Sequence, residues 1–354
     1  MLIALLAMAG ACSATTAVAP PAPAQVMAIP PELRDALRHA VIEPGGSRAI
    51  RLKLLMQFLF DTQAGLGMTY DYAATLTVEE AWRTRKANCL TFTILSLVLA
   101  REVGLEAHAQ HIDEALSWRQ ENLHLVRSDH VNTGVRLAPR RYTIDVASND
   151  ILTRDPPRVI SDAQLLAIYY SNRAMELAIA GDYPGAAPYM TASLDMDPAS
   201  PGGLNNAGVV AMRSGDLSAA ERYYGEALKQ APEHWGALIN LSQLYERLGD
   251  VDRARALRAR SERVLARDPF HQFMAGHQAE AAGDYATAVE RYRRATRLHA
   301  NEHRFHFALA RALVLQGETR KAIRALTQAR KLADTREGAR YEAKLNQLRT
   351  HVPR

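Results

Sequence analysis

The apolar positions change period three times along the chain. Leu52, Leu55, Met56, Leu59 and Phe60 recur three or four residues apart, so 33–62 reads as an opening helical pair. Thr77, followed by Glu80 and leading into Trp82, is the signature of a capped helix start. The apolar run Ile94 to Val103 has helical length and is closed by Gly104, which puts Cys89 at or just before a helix N-terminus. Leu105 to Ile112 then alternates as a strand does, and Asn122–Val135 and Tyr142–Val146 read as further strands joined through Ala138-Pro139-Arg140-Arg141. One helix on an antiparallel sheet is an α+β layout. Beyond residue 166 the pattern becomes a repeat. Gly181, Gly215, Gly249, Gly283 and Gly317 stand 34 residues apart, and Ala186, Ala220, Ala254, Ala288 and Ala322 keep the same register. Asp follows Gly in the first four units, and Ala174, Gly208, Ser242, Gly276 and Ala310 form a second row of small residues. Asp268-Pro269 falls three residues late, which predicts a longer second helix in the third unit.

A 34-residue period with a Gly-Asp turn and small residues at fixed places resembles the tetratricopeptide repeat. The resemblance implies five helix-turn-helix units over 167–336, stacked as an all-α solenoid, with 337–354 as a polar capping helix. Such an array carries no chemistry of its own. The expected partner is a protein or peptide segment lying in its groove.

Charge adds little to this picture. Lys and Arg number 23 against 13 Asp and Glu over 241–354, which reads as a solvated Arg-rich surface, or alternatively as a groove for an acidic segment. Few aromatics accompany the basic residues and no nucleic-acid-binding motif occurs, so nucleic acid is not an expected partner. Leu2 to Met8 is a short apolar run ending in Ala9-Gly10-Ala11-Cys12. That arrangement resembles a lipoprotein signal, with residues 1–11 as the signal peptide, lipidation at Cys12, and 12–31 as a Pro/Ala-rich tether. The alternative is an ordinary secretory signal cut near Ala11 or Ala17. Either reading expects a bacterial cell-envelope protein facing the periplasm, and the first expects an outer-membrane lipoprotein held to the membrane by its lipid.

Cys12 and Cys89 are the only cysteines. With Cys12 lipidated, Cys89 is an unpaired thiol in an oxidising compartment, which calls for a chemical reason. A helix N-terminus favours a thiolate through its dipole and its free N–H groups, and the same groups can hold an oxyanion. The segment Asn88-Cys89-Leu90-Thr91-Phe92-Thr93 through Arg101 to Ala107, with Asp129-His130-Val131-Asn132 and Tyr142-Thr143-Ile144-Asp145-Val146, resembles the transglutaminase-like thiol superfamily. The resemblance implies a papain-type α+β thiol domain over 32–155. Cys89 would be its nucleophile, His130 its base, and Asp145 the acid orienting the imidazole. Asn88 and the backbone N–H of Cys89 are the oxyanion-hole candidates. His124 shares strand parity with His130 and is the rival base, whereas His108 and His111 have opposite parity. The implied activity is that of a cysteine peptidase or amidase, or of a crosslinking enzyme if an amine resolves the thioester. A non-catalytic scaffold is the competing reading. No cofactor is implied, and no helical His pair with a neighbouring Glu suggests a metal. The stiff spacer Asp155-Pro156-Pro157 predicts that the solenoid packs closely on the thiol half.

Overall fold

The computed structural model describes residues 19–63, 65–119, 124–146, 151–152 and 156–350, and over 113–119, 124–129 and 151–152 it describes the backbone course alone. Three helices open the chain: α1 (Pro23–Val26), α2 (Pro31–Leu37, prolonged by a π-turn to Ile42) and α3 (Arg48–Phe60). β1 (Thr69–Tyr70) pairs in parallel with β2 (Lys86–Ala87) across α4 (Val78–Thr84), whose start is capped reciprocally by Thr77 and Glu80. α5 (Cys89–Glu102) buries eleven of its fourteen residues, so it is apolar all round rather than on one stripe. It lies on a five-stranded antiparallel sheet of β3 (Glu106–Arg119), β4 (His124–Leu137), β5 (Arg140–Ile144), β6 (Ile151–Leu152) and β7 (Arg158–Ile160). The order is β5-β4-β3, with β6 and β7 both pairing the far edge of β3. Helix and sheet are stitched by buried polar groups: Thr93 Oγ1 donates to the Val131 carbonyl at 3.0 Å, and the Ser96 and Thr133 hydroxyls meet at 2.8 Å.

Ten helices follow in five antiparallel pairs: α6 (Asp162–Ile179) with α7 (Tyr183–Met196), α8 (Pro201–Ser214) with α9 (Leu217–Gln230), α10 (Trp235–Arg247) with α11 (Val251–Ala266), α12 (Pro269–Ala281) with α13 (Tyr285–Leu298), and α14 (His303–Leu315) with α15 (Thr319–Leu332). α16 (Thr335–Thr350) closes the array, its Tyr341 and Leu345 buried against the last pair. The glycine ending each first helix has φ between 79° and 91°, the left-handed region that a side chain disfavours, which is why the 34-residue period is written in Gly. Asp182, Asp216, Asp250 and Asp284 then cap the second helices through their side chains. Glu318 stands at the fifth position and makes no such bond. The second row of small residues admits a tyrosine from the paired helix. A Cβ at Gly208 would fall 2.4 Å from the Tyr224 ring, and one at Gly276 would fall 2.7 Å from Tyr292. α11 runs 16 residues where α7, α9, α13 and α15 run 14, which absorbs the late Asp268-Pro269.

Two expectations are corrected here. The chain is not built as an α+β transglutaminase-like papain-type domain carrying a solenoid. Sixteen α-helices stand among the described residues, the sheet is confined to 106–160, and the architecture is that of a helical repeat array. The cause lies in the packing. The strands form one long hairpin with short edge strands, and the helices around it share a continuous apolar core with the first repeats, from Val26 and Leu33 through Leu97 to Tyr169, Tyr189 and Val210. Arg101 joins the two parts by donating two hydrogen bonds to the Asp162 carboxylate, at 2.6 and 2.9 Å, and α6 packs on α5 and β3. The second correction concerns the tether. From Pro21 onward the segment read as extended is packed: Val26 is fully buried, and the Tyr170 hydroxyl donates to the Pro21 carbonyl at 2.7 Å. Val26, with Met27 and Ile29 packed beside it, docks the segment because Leu33, Leu37 and Val41 continue the same core.

Candidate active site

The start of α5 is held by a dense set of short-range bonds. Asn88 is its N-cap, with Oδ1 accepting the Thr91 N–H at 2.8 Å, while Nδ2 donates to Thr75 Oγ1 at 2.8 Å. Thr91 Oγ1 in turn donates to the Ala74 carbonyl at 2.7 Å and accepts the Leu76 N–H at 2.8 Å. These bonds pin the loop 74–76 to the helix and leave Cys89 as the first helical residue, partly exposed. Asn88 is therefore spent on the cap, 6% exposed, with both ends of its carboxamide engaged. These bonds are its structural part at the helix start.

His130 lies on β4 opposite Ile112, where the hairpin register shifts before Ala115. Its Nε2 donates to Asp145 Oδ2 at 2.8 Å, with the two side chains only 5% and 8% exposed. Asp145 follows directly on β5, whose Ile144 pairs with Thr133. Asn132, two residues along β4 from His130, donates from Nδ2 to the same Asp145 oxygen at 3.1 Å. Cys89 is near enough for its thiol to act on the titration of the ring. Burial works to lower the basicity of His130, but the hydrogen bonds and charges of Asp145 and Cys89 outweigh it and push the imidazole up to about 9. The structure thus joins His130, Asp145 and Asn132 by hydrogen bonds, with Cys89 at the start of the neighbouring helix.

The other histidines stand apart from it. His111 is buried with its Nδ1 3.3 Å from Arg158, and His108 lies over Gly134, where a Cβ would come within 2.5 Å of its Nε2. The side chain of His124 and all of Cys12 lie outside the described residues. Among the described residues no group of three or more His, Cys, Asp or Glu could hold a metal ion. No described helix is long and apolar enough to cross a membrane.

Two residues at the site had no signal of their own in the sequence. Asn132 is one, a polar residue at an ordinary strand position. Tyr70 is the other. β1 places it opposite Ala87, beside the start of α5, and Cys89 is among the groups that act on its phenol. Burial first, then the neighbouring Cys89 and Tyr72, hold its phenol neutral well beyond the usual tyrosine range. Its strand is two residues long, too short to leave a period.

Comparison with known proteins bears on the second half of the chain. A tetratricopeptide-repeat family model matches residues 211–269, and a second model of the same repeat matches 171–221 and 273–344. The chain carries tetratricopeptide repeats. Solved structures similar to it include the crystal structure of MamA protein, at 17% identity over 50% of this chain and 96% of that one with a TM-score of 0.27. MamA 41-end from Desulfovibrio magneticus RS-1 is 18% identical over 47% of this chain and 94% of its own, also with a TM-score of 0.27. A thermophilic TPR protein of Thermus thermophilus is 18% identical over 51% of this chain and 98% of its own, with the same score. No curated protein matches the chain. The family matches are all to tetratricopeptide repeats and lie within 171–344, in keeping with the helical repeat array described above. Repeats of this kind bind protein partners, and the array over 171–344 is a protein-interaction scaffold.

Proposed function

We propose that the chain joins a protein-binding repeat array to a thiol acyl-transfer site, acting as a cysteine peptidase or amidase on a protein or peptide. The observation that carries this reading is the bond of 2.8 Å between His130 Nε2 and Asp145 Oδ2, beside a helix that Cys89 opens. A buried imidazole so held is oriented and charge-stabilised for proton transfer. The Cys89 sulfur attacks an amide carbonyl and forms a C–S bond, and the tetrahedral intermediate collapses as the C–N bond breaks. The amine leaves with the proton from His130. Water then attacks the thioester, giving its proton to His130, and the acid departs as the thiol is restored. An amine in place of that water would give crosslinking instead.

The test is alkylation of Cys89 by iodoacetamide at about pH 7, in the wild type and in His130→Gln. The reading expects the wild-type thiol to react at least about tenfold faster than free cysteine, and expects the advantage to vanish in the variant. Ordinary reactivity in both would favour a scaffold whose thiol site is inert, the reading that the repeat matches alone support. Attachment at the envelope through a lipid on Cys12 belongs to the same proposal. It expects Cys12→Ser to move the protein from the membrane to the soluble fraction.

A further inference from the structure

We propose that Asn132 is a positioning residue of the His130–Asp145 pair, holding the carboxylate oxygen that orients the imidazole. Its part in the reaction rests on the reading of Cys89 as a nucleophile; its hold on the pair does not.

Strand register puts Asn132 in this place. Thr133 pairs with Ile144, so the next residues outward, Asn132 and Asp145, stand across from one another, and His130 lies on the diagonal. Side chains directly opposite on antiparallel strands have Cβ atoms about 5 Å apart, and diagonal neighbours stand about 7–8 Å apart. A short carboxylate at 145 therefore meets position 132 first and reaches His130 only by leaning along the strand. Both contacts converge on one oxygen. Asp145 Oδ2 accepts from His130 Nε2 at 2.8 Å and from Asn132 Nδ2 at 3.1 Å. The residue at 132 decides what becomes of the carboxylate's charge. A lysine or arginine there would take the carboxylate as its own partner, and an apolar residue would give it nothing to bond across the strands. Asparagine is a neutral donor, which fixes the oxygen and leaves its charge to the imidazole.

The same side chain is otherwise poorly provided for. Asn132 is 2% exposed, and its carbonyl oxygen Oδ1 is buried without a hydrogen-bond partner. Gln110, opposite Asn132 on β3, gives no relief, since its own Oε1 is in the same state. The orientation of the carboxamide is fixed, because only its N–H can serve a carboxylate. An unmet buried carbonyl is unfavourable to folding. Leucine is of nearly the same size and would avoid that penalty, so what asparagine brings to this strand is the bond to Asp145. Ile112 faces His130 from β3 and adds no charge. The groups that act most on the ring are Asp145, at the end of β5, and Cys89, at the start of α5.

The test is the titration of His130 in the full-length protein, followed by NMR through the proton on its ring Cε1 and assigned by its absence from His130→Gln. In Asn132→Leu the midpoint is expected to fall by at least about one pH unit, a tenfold loss of charged over neutral imidazole, because a carboxylate free to turn no longer meets the ring. In an Asp145→Ala background the midpoint is expected to be low already, and Asn132→Leu to move it by less than about 0.3 pH unit, since a residue acting through Asp145 is silent once the carboxylate is gone. A midpoint unchanged or raised by Asn132→Leu overturns the proposal, the rise meaning that Asn132 competes with the imidazole for Oδ2 instead of placing it. A fall of the same size in both backgrounds also overturns it, because Asn132 would then act on the fold around His130. Asn132→Thr keeps a strand-favouring residue whose hydroxyl is one bond too short to reach Asp145. It takes the place of Asn132→Leu, with the same expected and overturning outcomes, if that variant loses the wild-type circular dichroism spectrum. The thiol reading fails on a different measurement. If Cys89 alkylates no faster than free cysteine while Asn132→Leu lowers the His130 midpoint, Asn132 positions the pair and the pair serves no nucleophile.

Discussion

His130 carries the pH behaviour of the site. Its folded pKa, pushed up to about 9, lies above the roughly 6.5 of an unfolded histidine, so its charged form is favoured by folding. The sign follows. The stabilisation is fully present below about pH 6.5 and is lost as pH rises through about 9. The shift corresponds to at most about 3 kcal/mol, an upper bound because Asp145 and Cys89 share in it. Urea unfolding at about pH 6 and about pH 9.5 should therefore show the wild type losing more stability than His130→Gln across that interval; parallel losses would mean that Asp145 does not hold the imidazolium. Asn132 supplies the second bond to Asp145 Oδ2 and is 2% exposed. Asn132→Leu leaves that oxygen with one donor fewer and is expected to cost about 1–3 kcal/mol and to lower the alkaline limit of the Cys89 reaction rate. Retention of the wild-type pH profile would show that the Asn132 bond does not tune the His130–Asp145 pair. The places of Cys89 at a helix start and of His130 and Asp145 on neighbouring strands were legible because chain order, a helix start and strand alternation each left a mark. Asn88 was visible as a residue before a helix, but a sequence does not say that its amide faces Thr75. Tyr70 depends on the pairing of two dipeptide strands, which has no local pattern.

Among the elements, the second helices of the repeats are placed by what the first helices omit. Gly208 lies 2.4 Å from the Tyr224 ring by the Cβ it lacks, and Tyr224 is fully buried. The obstructing atoms are ring carbons with no room to yield, so Gly208→Ala must part α8 from α9. The expected cost is about 1–3 kcal/mol, against the small gain that alanine ordinarily brings inside a helix. Gly225 is the control, a helical glycine in open space, where alanine should be neutral or stabilising. Thermal unfolding of the two variants measures the contrast, and equal midpoints would show that α8 and α9 are not packed as closely as described. The repeat elements were legible because one physical demand recurs five times at a fixed interval. β6 and β7 had no such redundancy, and each contributes only two or three residues to the edge of β3.

For the whole molecule, the boundary drawn from the sequence between a thiol domain and a solenoid does not coincide with the packing. Charge and period change near residue 167, but the core does not. Leu165, Tyr169, Tyr170 and Tyr189 belong to the same apolar cluster as Leu97, Val131 and Ile144, whereas Phe270, Phe305 and Leu313 belong to a separate one. Periodicity reports where a repeat begins; it says nothing of which neighbours share its buried face. The stiff spacer at 155–157 predicts close packing of the two halves, and α6 does pack on α5 and β3, but a spacer does not say which residues form the shared core. The arrangement makes an asymmetric prediction for truncation. A chain ending at residue 160 loses α6, exposes the apolar face of α5 and β3, and breaks the Arg101–Asp162 pair. It is expected to lose cooperative urea unfolding and, with it, any enhanced reactivity of Cys89. A chain ending at residue 267 loses α12 to α16 and their own core, while keeping the cluster that holds the thiol site. That shorter array is expected to unfold cooperatively and to alkylate at Cys89 at the full-length rate within about twofold, since nothing beyond residue 267 belongs to the core that packs around α5. If the chain ending at 160 alkylates as fast as the full-length protein, the shared core is not what maintains the site, and the two halves are separate folding units after all.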